Sequence, residues 1–262
     1  MRNAVPAKGL AILNLIGLII TITANGLANG LPLNGMTTGE LSDLYPNLFV
    51  PAGITFSIWG VIYFLLICFC IYTLVGVFRN NDKTTMKVVQ MGYWFFISCM
   101  ANAGWIFAWH YRIVPLSVGI MLLLLISLCI IYSRLRKLPL LYTKKEYFFL
   151  QLPFGVYLGW ITIATIANIT ALLVSLGWNR FGLSEDIWLT IMLFIAVALN
   201  IYILRKKKDF EYTAVVIWAF VGIIIKRNEM GQIDLIGFYT AISGIIILCI
   251  SLYIFLRPKN TL

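Results

Sequence analysis

The 262-residue chain is 61% hydrophobic and 11% charged, with a mean hydropathy of +0.93. That composition excludes an ordinary soluble domain and indicates a polytopic membrane protein. Long continuous apolar runs exclude a transmembrane barrel, which needs short alternating ones, so the expected fold is all-α.

A helix crosses a bilayer with about 20 mostly apolar residues, and eight segments qualify: 10–29, 54–78, 88–109, 114–134, 147–175, 186–204, 211–225 and 235–256. The first follows Arg2 and Lys8 as a signal peptide's core would. No small-x-small cleavage site comes after it, and it is kept as a span. The net charge of +10 invites a nucleic-acid partner, but the cations are sorted by side. With the N-terminus in the cytoplasm, sixteen of the twenty Lys and Arg fall there, at Arg2, Lys8, Arg79, Lys83, Lys87, Arg134, Arg136, Lys137, Lys144, Lys145, Arg205 to Lys208, Arg257 and Lys259. Only Arg112, Arg180, Lys226 and Arg227 fall opposite. This positive-inside pattern places both termini in the cytoplasm, with the cell membrane as the expected location and nucleic acid excluded as a partner.

In chain order, the first span runs into NGLANGLPLNG at residues 25–35, whose three Asn-Gly pairs favour positive φ, so the helix is expected to end within it. The connection continues to Pro51 with two acids, Glu40 and Asp43, and no Lys or Arg. A loop of this length is either a lid or a connector. Pro51 suits the first turn of the second helix. After it, Phe56, Trp59 and Tyr63 share one helix face.

The third span aligns Ser98, Asn102, Trp105 and Trp109. An amide at this depth turns toward protein, where an interhelical hydrogen bond is the plainer use and a ligand the alternative. The fifth span aligns Pro153, Tyr157, Trp160, Ala164 and Asn168. Trp160 lies ~20 Å along it, too deep for the interfacial belt, so its indole N–H needs a partner or a ligand. Trp94, Trp178, Trp188 and Trp218 read as belt or lipid-facing residues. The directions of the spans bring the three stripes together beneath the long loop, as a site for a flat, largely apolar ligand requires.

No catalytic pattern emerges. His110, the only histidine, reads as an interfacial residue at a helix end. The five cysteines lie in apolar runs without metal-site spacing, and neither a P-loop nor a nucleophile-elbow motif is present. The span centres lack acids, which counts against ion-coupled transport. No cofactor is expected, and an enzyme is the less favoured class.

The spaced residues resemble the translocator protein family, also called the tryptophan-rich sensory protein or TspO family and the peripheral benzodiazepine receptor, a five-helix membrane fold. Pro51, Trp59 and Tyr63 resemble its second-helix signature. Asn102, Trp105 and Pro115 resemble its N-x-x-W and the following proline, and Tyr157, Trp160 and Asn168 its fifth-helix Y-x2-W-x7-N. The likeness covers residues 10–180. It implies a TspO-like five-helix domain at 1–180 and an appended three-helix membrane segment at 181–262.

It also implies a pocket lidded by the loop after helix 1, with Trp59, Tyr63, Asn102, Trp105, Tyr157, Trp160 and Asn168 as ligand-binding residues. Two departures matter. Phe56 stands three rather than four residues before Trp59 and is read as packing. Residues 169–180, ITALLVSLGWNR, lack the tyrosine of the family's sterol motif, so sterol binding is not supported. The expected function is a membrane receptor or carrier for a porphyrin-like or other aromatic apolar ligand. The alternatives are a tetrapyrrole-modifying enzyme, suggested by the same resemblance, and a non-catalytic structural or regulatory partner. The bilayer and a small apolar ligand are the expected partners, and a homo-oligomer is compatible with them.

Overall fold

The computed structural model describes residues 7–136, 143–229 and 235–256. Arg2, Lys137, Arg257 and Lys259, counted in the charge asymmetry above, lie outside them. The helices are α1 (Ala7–Gly30), α2 (Thr38–Asp43), α3 (Ile58–Phe78), α4 (Asp82–Met91), α5 (Trp94–His110), α6 (Val114–Arg136), α7 (Lys144–Glu146), α8 (Leu152–Ser175), α9 (Glu185–Lys207), α10 (Phe210–Glu229) and α11 (Leu235–Leu256). Among the described residues there is no strand. The protein is an all-α, multi-pass membrane protein.

Among the described residues, five helical stretches are long and apolar enough to cross a membrane: Ala7–Gly30, Gly53–Phe78, Val114–Arg136, Lys144–Ser175 and Glu185–Lys207. The remaining three expected spans are also helical, with 17 residues in α5, 20 in α10 and 22 in α11. A π-helical stretch, Tyr147–Gln151, joins α7 to α8 just ahead of Pro153. Proline cannot donate to the carbonyl four residues back and crowds it, which favours this local widening.

Three boundaries differ from the sequence reading. The third span is not one helix from Val88, because Gly92, at φ +63°, breaks the chain between α4 and α5. The α4 helix starts at an Asn81 cap whose side chain accepts from Thr84 N at 3.0 Å, and it buries Val88 and Met91. Pro51 does not open a helix either: a 3₁₀ turn, Gly53–Ser57, comes first and α3 follows it. At the end of α1, Asn25-Gly26 and Asn29-Gly30 stay helical, with Asn25 and Asn29 Nδ2 donating to carbonyls four residues back. Only Asn34-Gly35 takes positive φ, at 59° and 79°.

The α1 helix packs on α3 and α5, α5 on α6, α6 on α8, and α3 on α8. Interhelical contact in a bilayer is driven by close packing rather than by hydrophobic transfer, so small residues mark it. A Cβ at Gly17 would stand 2.9 Å from the Phe96 ring, and one at Gly159 would stand 3.2 Å from Val215 Cβ. The second of these sites lets α10 lie against α8, while α11 packs on α9 and α10.

At the end carrying the basic loops, Arg136 Nη2 pairs with Asp209 Oδ2 at 2.8 Å and with Glu211 Oε1 at 3.5 Å. Tyr132 donates its hydroxyl to Asp209 and Tyr147 donates to Glu211 at 2.6 Å. Asp209 and Glu211 are buried, so this network ties the α9–α10 turn to α6 and to the π-helical stretch ahead of α8 with charges that need one another.

Candidate functional site

At the opposite end, the stripes on α3 and α8 meet. Trp59 stacks on Tyr63 with ring centroids 5.5 Å apart, and it meets Tyr157 and Trp160 nearly edge-on at 5.9 and 6.3 Å. Phe56 stands edge-on to Trp160 at 5.8 Å. Edge-to-face contacts set the positive rim of one ring on the negative face of another, which gives this apolar cluster a fixed geometry. Two polar atoms inside it have no hydrogen-bond partner: the Tyr63 hydroxyl and the Trp160 indole nitrogen.

Both amides face protein. Asn102 donates through Nδ2 to the Tyr157 hydroxyl at 2.8 Å and accepts through Oδ1 from Asn25 Nδ2, also at 2.8 Å. This chain links α1, α5 and α8. Asn168 accepts the Trp105 indole N–H at 3.0 Å and donates to Ser117 Oγ at 3.0 Å, linking α8 to α5 and α6. Trp105 stacks on Trp109, whose ring meets Tyr45 at 5.5 Å. The seven residues singled out in the sequence therefore form two groups. Trp59, Tyr63, Tyr157 and Trp160 share one aromatic cluster, with Asn102 at its edge, whereas Trp105 and Asn168 lie in a separate hydrogen-bonded set.

Residues 31–57 lie over this end of the bundle. Thr37 and Glu40 form a reciprocal cap that starts α2. His110, which is fully buried and not interfacial, holds the loop. Its Nδ1 donates to the Leu33 carbonyl at 2.9 Å, and its Nε2 shares a hydrogen bond with Thr38 Oγ1 at 3.2 Å. The His110 carbonyl accepts from Asn34 Nδ2 at 2.9 Å, and Trp109 donates to the Thr38 carbonyl at 3.3 Å.

The other edge rests on α10. Ala52 N donates to Gly222 O at 2.9 Å, and the Trp218 indole donates to Thr55 O at 3.0 Å. A Cβ at Gly222 would collide with Thr55, so only glycine permits this approach. Trp218 thus has a definite task that its sequence position did not disclose. A partly open cavity of about 490 Å³ lies beside α2, walled by Thr38, Glu40, Asp43, Gly53, Phe56 and Trp59, and of the aromatic cluster only Phe56 and Trp59 reach it. Phe56, read as packing, is part of that wall.

His110, Asn25 and Ser117 are the residues whose part in this region sequence reasoning missed. The signal for Asn25 was present, as an amide one turn inside an apolar span, but the Asn-Gly pair drew it into the turn argument. Together, the helices and the covered aromatic cluster define an integral membrane protein with a candidate pocket at one end of its bundle. A family model described as TSPO-like protein matches residues 11–254, and the chain belongs to that family. The match extends through α9, α10 and most of α11, beyond the reach of the sequence motifs. No curated protein and no solved structure matches the chain.

Proposed function

We propose that this protein is a membrane receptor or carrier for a porphyrin-like or other flat aromatic, largely apolar ligand. The ligand enters through the cavity beside α2 and settles against Trp59, Tyr63, Tyr157 and Trp160, with residues 31–57 as the lid. The observation that carries this reading is Trp160. Its side chain is 2% exposed, its indole N–H has no acceptor, and it lies directly behind the Phe56–Trp59 wall. A buried donor left unmade costs about 1–3 kcal/mol, and a ligand acceptor would remove that cost. Cavities of 300–1,000 Å³ suit small organic ligands, and this one lies in that range.

On this reading Asn102, Trp105 and Asn168 shape the pocket by holding α1, α5, α6 and α8 in place. The basic end faces the cytoplasm and the lid faces the other side of the cell membrane. Residues 1–180 form the binding domain, with 181–262 appended to it. Protoporphyrin should quench tryptophan fluorescence saturably. Trp160→Leu should weaken binding, and Trp160→Phe, which keeps the ring and removes the N–H, should weaken it less. Equal affinity in wild type and both variants would sink the assignment.

A further inference from the structure

A second set of side chains gathers at the lid end, between residues 46–50, the α8–α9 turn and the last turn of α10. Lys226 Nζ pairs with Asp43 Oδ1 at 2.9 Å, and Arg180 Nη1 pairs with Glu185 Oε1 at 3.2 Å. The two acids that line this space, Asp43 and Glu185, each have a cation in contact, and Arg227 pairs with neither. Its side chain is 4% exposed, its Nε has no partner, and no ion pair reaches it among the described residues. A guanidinium keeps its charge, and here the Asp43 and Glu185 charges act on it only from a distance, each in contact with another cation, so burial favours an anion in direct contact with the fork.

Arg227 lines a cavity of about 300 Å³ together with Asp43, Glu185 and Lys226. An adjoining cavity of about 360 Å³ shares Pro46, Asn47, Leu48 and Glu185 with it. The second cavity is walled by Leu173, Val174, Trp178 and Trp188, the two indoles meeting edge-on at 4.7 Å. One end of this space is charged and the other is aromatic and aliphatic. Three cations against two carboxylates leave a single positive charge, placed at the buried end.

We propose that these two cavities form one site for a single-chain amphiphile with an acid head, carboxylate or phosphate. The head is held by the Arg227 guanidinium fork and the chain lies against Trp178 and Trp188. A planar fork with parallel N–H groups matches either acid in bidentate fashion. Arg227 and Lys226 belong to α10, so the site exists only where the last three helices meet the rest of the protein. It is distinct from the aromatic pocket, with which it shares one wall residue, Asp43.

The test uses the full-length protein in phosphatidylcholine nanodiscs, titrated calorimetrically with laurate, dodecyl phosphate, 1-dodecanol and inorganic phosphate. At least one of the two acids should bind roughly tenfold or more tighter than dodecanol. Arg227→Gln should erase that preference, Arg227→Lys should keep part of it, and Trp188→Leu should weaken acid and alcohol alike. Equal binding of the acids and dodecanol to wild type, which needs no variant to fold, would overturn the site. So would a preference that survives Arg227→Gln. Inorganic phosphate binding as tightly as dodecyl phosphate would show a free-anion site and overturn the amphiphile. Protoporphyrin quenching in Arg227→Gln should match wild type, so a failure of this proposal is distinguishable from a failure of the aromatic pocket.

Discussion

Replacing His110 with alanine tests how the cover is held. The imidazole makes two hydrogen bonds to the loop, to Leu33 O at 2.9 Å and to Thr38 Oγ1 at 3.2 Å, at a site closed to solvent. Each is worth about 1 kcal/mol net, so their loss should favour opening by about 2 kcal/mol. That corresponds to a rise of up to about 30-fold in the open population. Hydrogen–deuterium exchange of the protein in nanodiscs reads this directly. Peptides within 31–45 should lose protection by about that factor, while those from α6 should not change. Unaltered protection in 31–45 would refute the anchoring, and an equal loss across α6 would show that His110 supports the bundle instead.

The Asn168→Leu variant should lower thermal stability by about 1 kcal/mol, since interhelical hydrogen bonds in membranes average near 0.6 kcal/mol and two are lost here. A double-mutant cycle with Trp105→Phe should show coupling, and strict additivity would count against the bond. Glu40 Oε2 accepts from Thr37 N and Oγ1 at 2.7 and 2.8 Å, which holds its carboxyl below the ordinary value of 4.5. A depressed folded value means that the contribution is present above the unfolded one and fades as pH falls through the folded one. Exchange protection across 37–43 should therefore be steady from neutral pH down to 4.5 and fall only below it, and Glu40→Gln should lack that acid step. Arg136→Gln would leave Asp209 and Glu211 as buried carboxylates without their cation, and should lower stability by about 3 kcal/mol in thermal unfolding.

The eight apolar segments read from hydropathy all fall on helices, and five of those stretches are long and apolar enough to cross a membrane, where only a helix satisfies its own backbone. Hydropathy misjudged where the third begins, since Val88 to Met91 continue the apolar run and a positive φ at Gly92 leaves no mark on it. The facing of Asn102, Asn168 and Trp160 was legible from spacing, as an amide or a deep indole has to point toward protein. Their partners were not. Asn102 meets Asn25 across 77 positions of chain, and His110 meets Leu33 across the same separation. His110 sits at a helix end, where sequence sees the water interface. The loop that removes the water arrives only with the tertiary fold. The Asp209–Glu211 network escaped for a related reason: acids beside a basic loop read as solvated until α6 and α8 close over them.

The seat of Thr55 in the notch left by Gly222 reaches beyond local packing. The cover is moored on two shores, to α5 through His110 and to α10 through Ala52 and Trp218. Releasing the first leaves it hinged on the second, so it can swing rather than drift. A protein cut after α8 would keep its aromatic floor and its His110 anchor on α5 and lose that hinge, so its cover would be held from one side alone.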